Sequence, residues 1–168
     1  MTRTGVPPAT TAADPRLRLH VDRAEGRRGV PTNAEFGAWA LAALRGARAL
    51  RSPCEVALRV VGASEMQGMN AGYRGRDYAT NVLSFPAGTP PGVPLPRRPL
   101  GDIVFCTPVV LREAAEQGKP ARAHWAHMTV HGVLHLLGFD HVRKKDALVM
   151  EALERRVLAR LGVPDPYA

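Results

Sequence analysis

Along the first two-thirds of the chain, short alternating runs of apolar and polar residues take turns with longer segments of helical spacing. In residues 16–22 (RLRLHVD), Leu17, Leu19 and Val21 alternate with Arg16, Arg18 and His20, the period of a half-buried strand. Residues 31–50 open with Thr32-x-x-Glu35, a capping box, and continue with good helix formers. Residues 54–62 (CEVALRVVG) read as a second strand. Strand, helix, strand in that order predicts a right-handed crossover and a parallel pair. Ser64-x-x-Gln67 repeats the capping pattern and predicts a short helix over 64–75. A strand follows at 81–85. Residues 86–99 carry six prolines in fourteen positions and must be a loop. The strand at 100–106 lies across that loop, so the two should form a wide hairpin. Thr107 is placed as N-cap and Pro108 as the first residue of a helix that Gly118 ends.

Residues 120–138 are helix-patterned but apolar on nearly every side. Trp125, Met128, Val130, Val133, Leu134 and Leu136 leave no solvated face, which describes a helix through the core. In the last helix, 146–161, Met150, Leu153, Val157 and Leu161 recur at helical spacing, with Glu151, Glu154, Arg155 and Arg160 assigned to water; Gly162 and Pro164 stop it. The expected fold is α+β (mixed α/β): one small domain over 16–168, with about four strands in a mixed sheet and about five helices. Residues 1–15 are expected to be a disordered tail.

Composition adds direction. The chain has 168 residues, enough for one domain with a real core. Its 23 Lys and Arg against 15 Asp and Glu give a net charge of +8, a field that favours a polyanion such as a nucleic-acid backbone. No apolar run reaches the roughly 20 residues of a membrane span, and the N-terminus has no apolar stretch like a secretory signal, so the expected location is the cytoplasm with no membrane partner. Cys54 and Cys106 are far apart and outside any CxxC spacing, which suggests neither a disulfide framework nor a cysteine zinc site.

The chemistry concentrates in residues 131–141, HGVLHLLGFDH. His131 and His135 stand four apart and project from one helix face. Gly138 can adopt the left-handed conformation that ends a helix and turns the chain, returning His141 toward the other two. The spacing is that of the metzincin zinc motif. Three neutral imidazoles leave a fourth position for water, as in catalytic zinc sites. The metzincin general base is missing, because Gly132 occupies its position. Gly132 then serves either close helix packing or substrate room.

The segment AHWAHMTVHGVLHLLGFDH resembles the histidine signature of the YbeY family of bacterial endoribonucleases, also called rRNA maturation factors. In order along the chain, MNAGYRGRDYATNVLSFP (69–86), LGDIVFC (100–106) and MEALERRVLARLGVPDPY (150–167) resemble other parts of the same family. The resemblance covers about 54–168. Ala79 and Phe139 depart from the usual Pro and Tyr, and the loop 86–99 has its own proline-rich character.

The resemblance implies one zinc ion per chain held by His131, His135 and His141. It also implies that Arg74 grips a scissile phosphate, and that the substrate is single-stranded precursor rRNA. The function implied is 16S rRNA 3′-end maturation and ribosome quality control, with the small subunit and assembly proteins as partners. Asp140 either orients an imidazole, takes part in proton transfer or caps a turn. His127 and His124 either line the RNA groove, hydrogen-bond a ligand or are core histidines. For Ser84 and Asp102, roles as polar residues at strand ends suffice. Two other readings stand beside the nuclease: a zinc hydrolase of another substrate, such as a protease, and a non-catalytic ribosome-assembly protein with a structural zinc.

Overall fold

The computed structural model describes residues 10–11, 13–88, 92 and 94–168. Its elements are β1 (Thr10–Thr11), β2 (Leu17–Arg23), α1 (Asn33–Gly46), β3 (Cys54–Val61), α2 (Ala63–Arg74), β4 (Val82–Pro86), β5 (Arg98–Cys106), α3 (Thr107–Glu116), α4 (Ala121–Leu136) and α5 (Lys144–Arg160). The α+β class, the element order and the four long strands agree with the sequence reading. The sheet order is β1-β2-β3-β5-β4. β2, β3 and β5 run parallel, and β4 returns antiparallel on β5 as the expected hairpin.

Alternation along the strands sorts side chains to two faces. Leu17, Leu19, Val56, Leu58, Ile103 and Phe105 face the main core beneath α1, α4 and α5. The other face carries a smaller core of Val61, Met66, Leu83, Val104, Cys106 and Val109, beside α2. Aromatic packing fixes α4 on the sheet. The Phe36 and Phe105 rings stack at 5.6 Å, and the Trp125 ring meets both edge-on at 6.0 and 5.7 Å. Trp125 Nε1 donates to the Gly29 carbonyl at 3.1 Å, so the indole buries without an orphaned donor. Cys54 and Cys106 are both buried free thiols.

Several local expectations are corrected. The capping box at Thr32 and Glu35 is present, but α2 is capped by the backbone of Gly62, with no side-chain cap from Ser64. Gly62 leaves β3 in an extended conformation and abuts Glu25, so the helix starts before Ser64; Gln67 bonds Asp77 instead. Cys106 rather than Thr107 is the N-cap of α3, because β5 runs straight into the helix; the Thr107 hydroxyl is buried without a partner. Of the expected tail, residues 1–9 and 12 lie outside the described residues. Thr10 and Thr11 pair with β2, and Asp14 is bound by Arg16 and Arg45. Glu154 does not face water: it is 0% exposed, on the same face of α5 as Met150, Leu153, Val157 and Leu158.

Two glycines set the distance between α4 and the hairpin beneath it. A Cβ on Gly132 would lie 2.9 and 3.1 Å from the branches of Ile103 and 3.4 Å from Ser84 Oγ, which selects close packing over substrate room as the reason for this glycine. Gly101 has φ +135°, and a Cβ there would collide with the Phe85 carbonyl oxygen and crowd Leu136. Gly101→Ala should therefore cost about 2–4 kcal/mol, from backbone strain and overpacking together. A lower urea unfolding midpoint at unchanged m-value would report that loss; a wild-type midpoint would contradict this account of the packing.

A candidate metal centre in the cleft between α2 and α4

Helix α4 carries His131 and His135 out of the core on one face, and both are partly buried. Leu137 and Gly138 close the helix. Gly138 is left-handed at φ +97°, and Phe139 N bonds back to the Leu134 carbonyl at 3.1 Å while its ring packs on the main core. The next two residues turn around Asp140, whose Oδ1 accepts from the backbone N–H groups of His141 (2.7 Å) and Val142 (3.2 Å). Asp140 thus caps a turn, the last of the three roles the sequence left open. The His141 backbone N–H, above all, holds its carboxyl below the usual range. The turn brings His141 to the other two rings: centroids are 4.6 Å apart for His131–His135, 5.4 Å for His131–His141 and 4.9 Å for His135–His141.

One nitrogen from each ring lies within 4.8 Å of the others, a spacing at which all three can ligate one metal ion. His131 Nε2 and His135 Nε2 are 3.1 Å apart. Burial, followed by the neighbouring His131 and His141, pushes the pKa of His135 down to about 4. At neutral pH it is therefore an uncharged imidazole, the form that binds metal. The residues fit a divalent cation.

Behind the three rings is a carboxylate that the sequence reading missed. Glu154 Oε1 accepts from His131 Nδ1 at 2.7 Å; Oε2 accepts from His127 Nε2 at 2.8 Å and from the Tyr167 hydroxyl at 2.6 Å. Burial alone would raise its pKa, but the His127 and His131 hydrogen bonds bring it down to about 2, so it is ionised. Burial, and then the Glu154 hydrogen bond, raise the Tyr167 hydroxyl well above its ordinary value. The signal for Glu154 was its position four residues after Met150 and four before Leu158, inside the apolar stripe. For Tyr167, beyond the last helix, periodicity offered none.

The cleft in front of the rings has a volume of about 310 Å³. Arg74, Asn81, Ser84 and Tyr167 line it together with the histidines. Arg74 ends α2, where left-handed Gly75 (φ +65°) turns the chain away. Among the described residues its guanidinium has no hydrogen-bond or ion-pair partner. Ser84 Oγ donates to the Gly132 carbonyl at 3.3 Å, beside the histidines. Asp102 is on the opposite sheet face and lines a separate hollow with His20 and Tyr73. His127 borders the cleft but is tied to Glu154, and His124 is a core histidine bonded to Glu113 at 3.0 Å.

Fold and cleft together define a small α+β protein with a three-histidine site able to take a metal ion. The family model described as Endoribonuclease YbeY matches residues 26–162, and the chain belongs to that family. It is 55% identical over 157 residues to the endoribonuclease YbeY of Stenotrophomonas maltophilia (strain K279a), covering 91% of this chain and 94% of that protein. It is 56% identical over 141 residues to that of Alkalilimnicola ehrlichii, covering 84% of each. The solution structure of TM1509 from Thermotoga maritima shares the fold, with a TM-score of 0.53 at 20% identity over 86% of this chain and 91% of that one.

Depressed pKa values at His135 and Glu154 fix a sign for acid stability without metal. His135 titrates at about 4 when folded against 6.5 ordinarily, so the unfolded chain binds more protons between those values and stability falls as pH drops. Glu154, about 2 against 4.5, extends the loss to lower pH. Chelator-treated protein should lose stability between pH 6.5 and 4 from His135, by about 1–2 kcal/mol once solvent screening of this half-buried ring is allowed for. Urea unfolding across that range measures it; a flat profile would contradict the depressed value.

Proposed function

We propose that this protein is a single-strand-specific, zinc-dependent endoribonuclease of the cytoplasm. Its task is to mature the 3′ end of 16S rRNA and to serve ribosome quality control, with precursor rRNA, the small subunit and assembly proteins as partners. The observation that carries the reading is an arginine without a partner among the described residues, Arg74, opening on the same cleft as three convergent imidazoles. The close relatives named as endoribonucleases support the reaction class. A net charge of +8 suits a polyanionic substrate. No helix among the described residues is long and apolar enough to cross a membrane.

His131, His135 and His141 would hold the zinc, a set of nitrogen donors suited to it and one that leaves an open position. The chemistry a zinc held there would supply is a lowered pKa for a bound water or polarisation of a phosphoryl oxygen. The chain's own part is geometric and electrostatic. Arg74 presents a planar fork to two non-bridging phosphate oxygens and stabilises the charge they gain in the transition state. With no protein partner among the described residues, that fork is free for the substrate. The short polar side chains of Asn81 and Ser84 offer hydrogen bonds along the same wall.

Protease chemistry is disfavoured on two counts. Gly132 stands where a metzincin carboxylate would, and among the described residues no Asp or Glu lines the cleft. Incubation with single-stranded RNA and with casein tests the proposal. Cleavage of RNA and not casein is expected. His135→Ala should abolish it, and Arg74→Ala should lower kcat/KM by about 10²–10³-fold while the metal stays bound. RNA cleavage that survives in both variants, or casein cleavage by the wild type, would refute the assignment.

A further inference from the structure

Four histidines follow one another along α4, yet only His131 and His135 turn nitrogens toward His141. Glu154 accounts for the difference. Its carboxylate is fully buried and accepts three hydrogen bonds, one on Oε1 and two on Oε2. A buried carboxylate accepts and does not donate, so the proton of His131 must sit on Nδ1. The lone pair is then on Nε2, the atom 3.1 Å from His135 Nε2. On its other oxygen Glu154 engages His127 through Nε2, while His127 Nδ1 is buried. His127 lines the cleft one turn before His131 and lies with His131 and Glu154 within 4.8 Å, yet its Nε2 is taken by the carboxylate and its Nδ1 is buried.

Tyr167 closes the arrangement from the C-terminal segment. Its backbone N–H donates to Asp165 Oδ1 at 2.8 Å, and the same oxygen accepts from Arg155 Nε at 3.2 Å. The Arg155 guanidinium lies 5.1 Å from the Tyr167 ring centroid, and the ring packs edge-on to His127 at 5.5 Å. So held, the hydroxyl reaches Glu154 at 2.6 Å.

We propose that Glu154 is a positioning residue with two effects: it fixes the tautomer and ring orientation of His131 as a metal ligand, and it withholds His127 from the metal. Tyr167 holds the carboxylate in place for both. Two carboxylate oxygens thereby set the protein ligands at three, and the last residues of the chain become part of the metal site. A carboxylate behind a ligating imidazole also raises its basicity, and loss of such a partner typically costs 10–100-fold in metal affinity. This inference rests on His131, His135 and His141 as the metal ligands.

Zinc titration of the full-length protein against a chromophoric chelator tests it, with wild type, Glu154→Gln and Tyr167→Phe compared and folding checked by circular dichroism. Glu154→Gln should weaken zinc binding by about 10–100-fold. Tyr167→Phe, which removes one hydrogen bond, should weaken it by about 2–10-fold. Ring ¹H–¹⁵N correlations of the metal-free wild type should show His131 protonated at Nδ1, with that preference lost in Glu154→Gln. A folded Glu154→Gln variant with wild-type zinc affinity would overturn the proposal. If that variant does not fold, unchanged affinity in Tyr167→Phe together with His131 protonated at Nε2 in the wild type would overturn it. Wild-type protein that fails to bind zinc would instead overturn the ligand assignment beneath it.

Discussion

Helix α4 offers almost no face to water, so each polar side chain on it must find a partner inside the protein or at the cleft. Thr129 bonds back to the Trp125 carbonyl at 2.8 Å, His124 takes Glu113, and His127 and His131 share Glu154. That leaves His135 and the outer nitrogen of His131, 3.1 Å apart, facing His141 across the turn. Three imidazoles pressed together gain little from one another. A shared cation would satisfy their lone pairs at once, which would tie the burial of the helix to its chemistry.

The sheet makes this placement possible by letting α4 come close. Gly132 lies against Ile103 and Ser84, and Gly101 lets β5 pass beneath Leu136. Pairing of Ser84 with Ile103, and of Phe85 with Asp102, sends the first pair toward α4 and the second to the far face. One wall of the cleft is therefore the hairpin, and the opposite rim is the end of α2, where Gly75 releases the chain and leaves Arg74 at the opening. Each part of the site comes from the end or edge of an element whose remainder is fixed in one of the two cores.

The strands and helices were legible because nearly all follow simple periods. The three histidines were legible because their spacing has meaning only on a helix that ends at Gly138. Arg74 was different: nothing in its surroundings separates it from a solvated arginine, and only the resemblance to a family singled it out. Glu154 was misread because acidic residues are ordinarily assigned to the wet face, although its spacing from Met150 and Leu158 put it in the stripe. The partners that stabilise it, His127 and Tyr167, are distant in sequence, and no local pattern reveals such a contact. Helix caps slipped by a residue or two where β3 and β5 run directly into α2 and α3, since backbone continuity there overrides side-chain capping. The two-residue strand β1 pairs through its backbone and has no apolar pattern to announce it.

The chemistry of the cleft depends on His131, His135 and His141 holding one metal ion, which we propose is zinc. X-ray absorption at the zinc edge, combined with metal analysis of the purified full-length protein, tests it most directly. One zinc per chain with three imidazole nitrogens and one non-protein oxygen around it is expected. A protein that takes up no stoichiometric metal, or a zinc closed by four protein ligands, would contradict it.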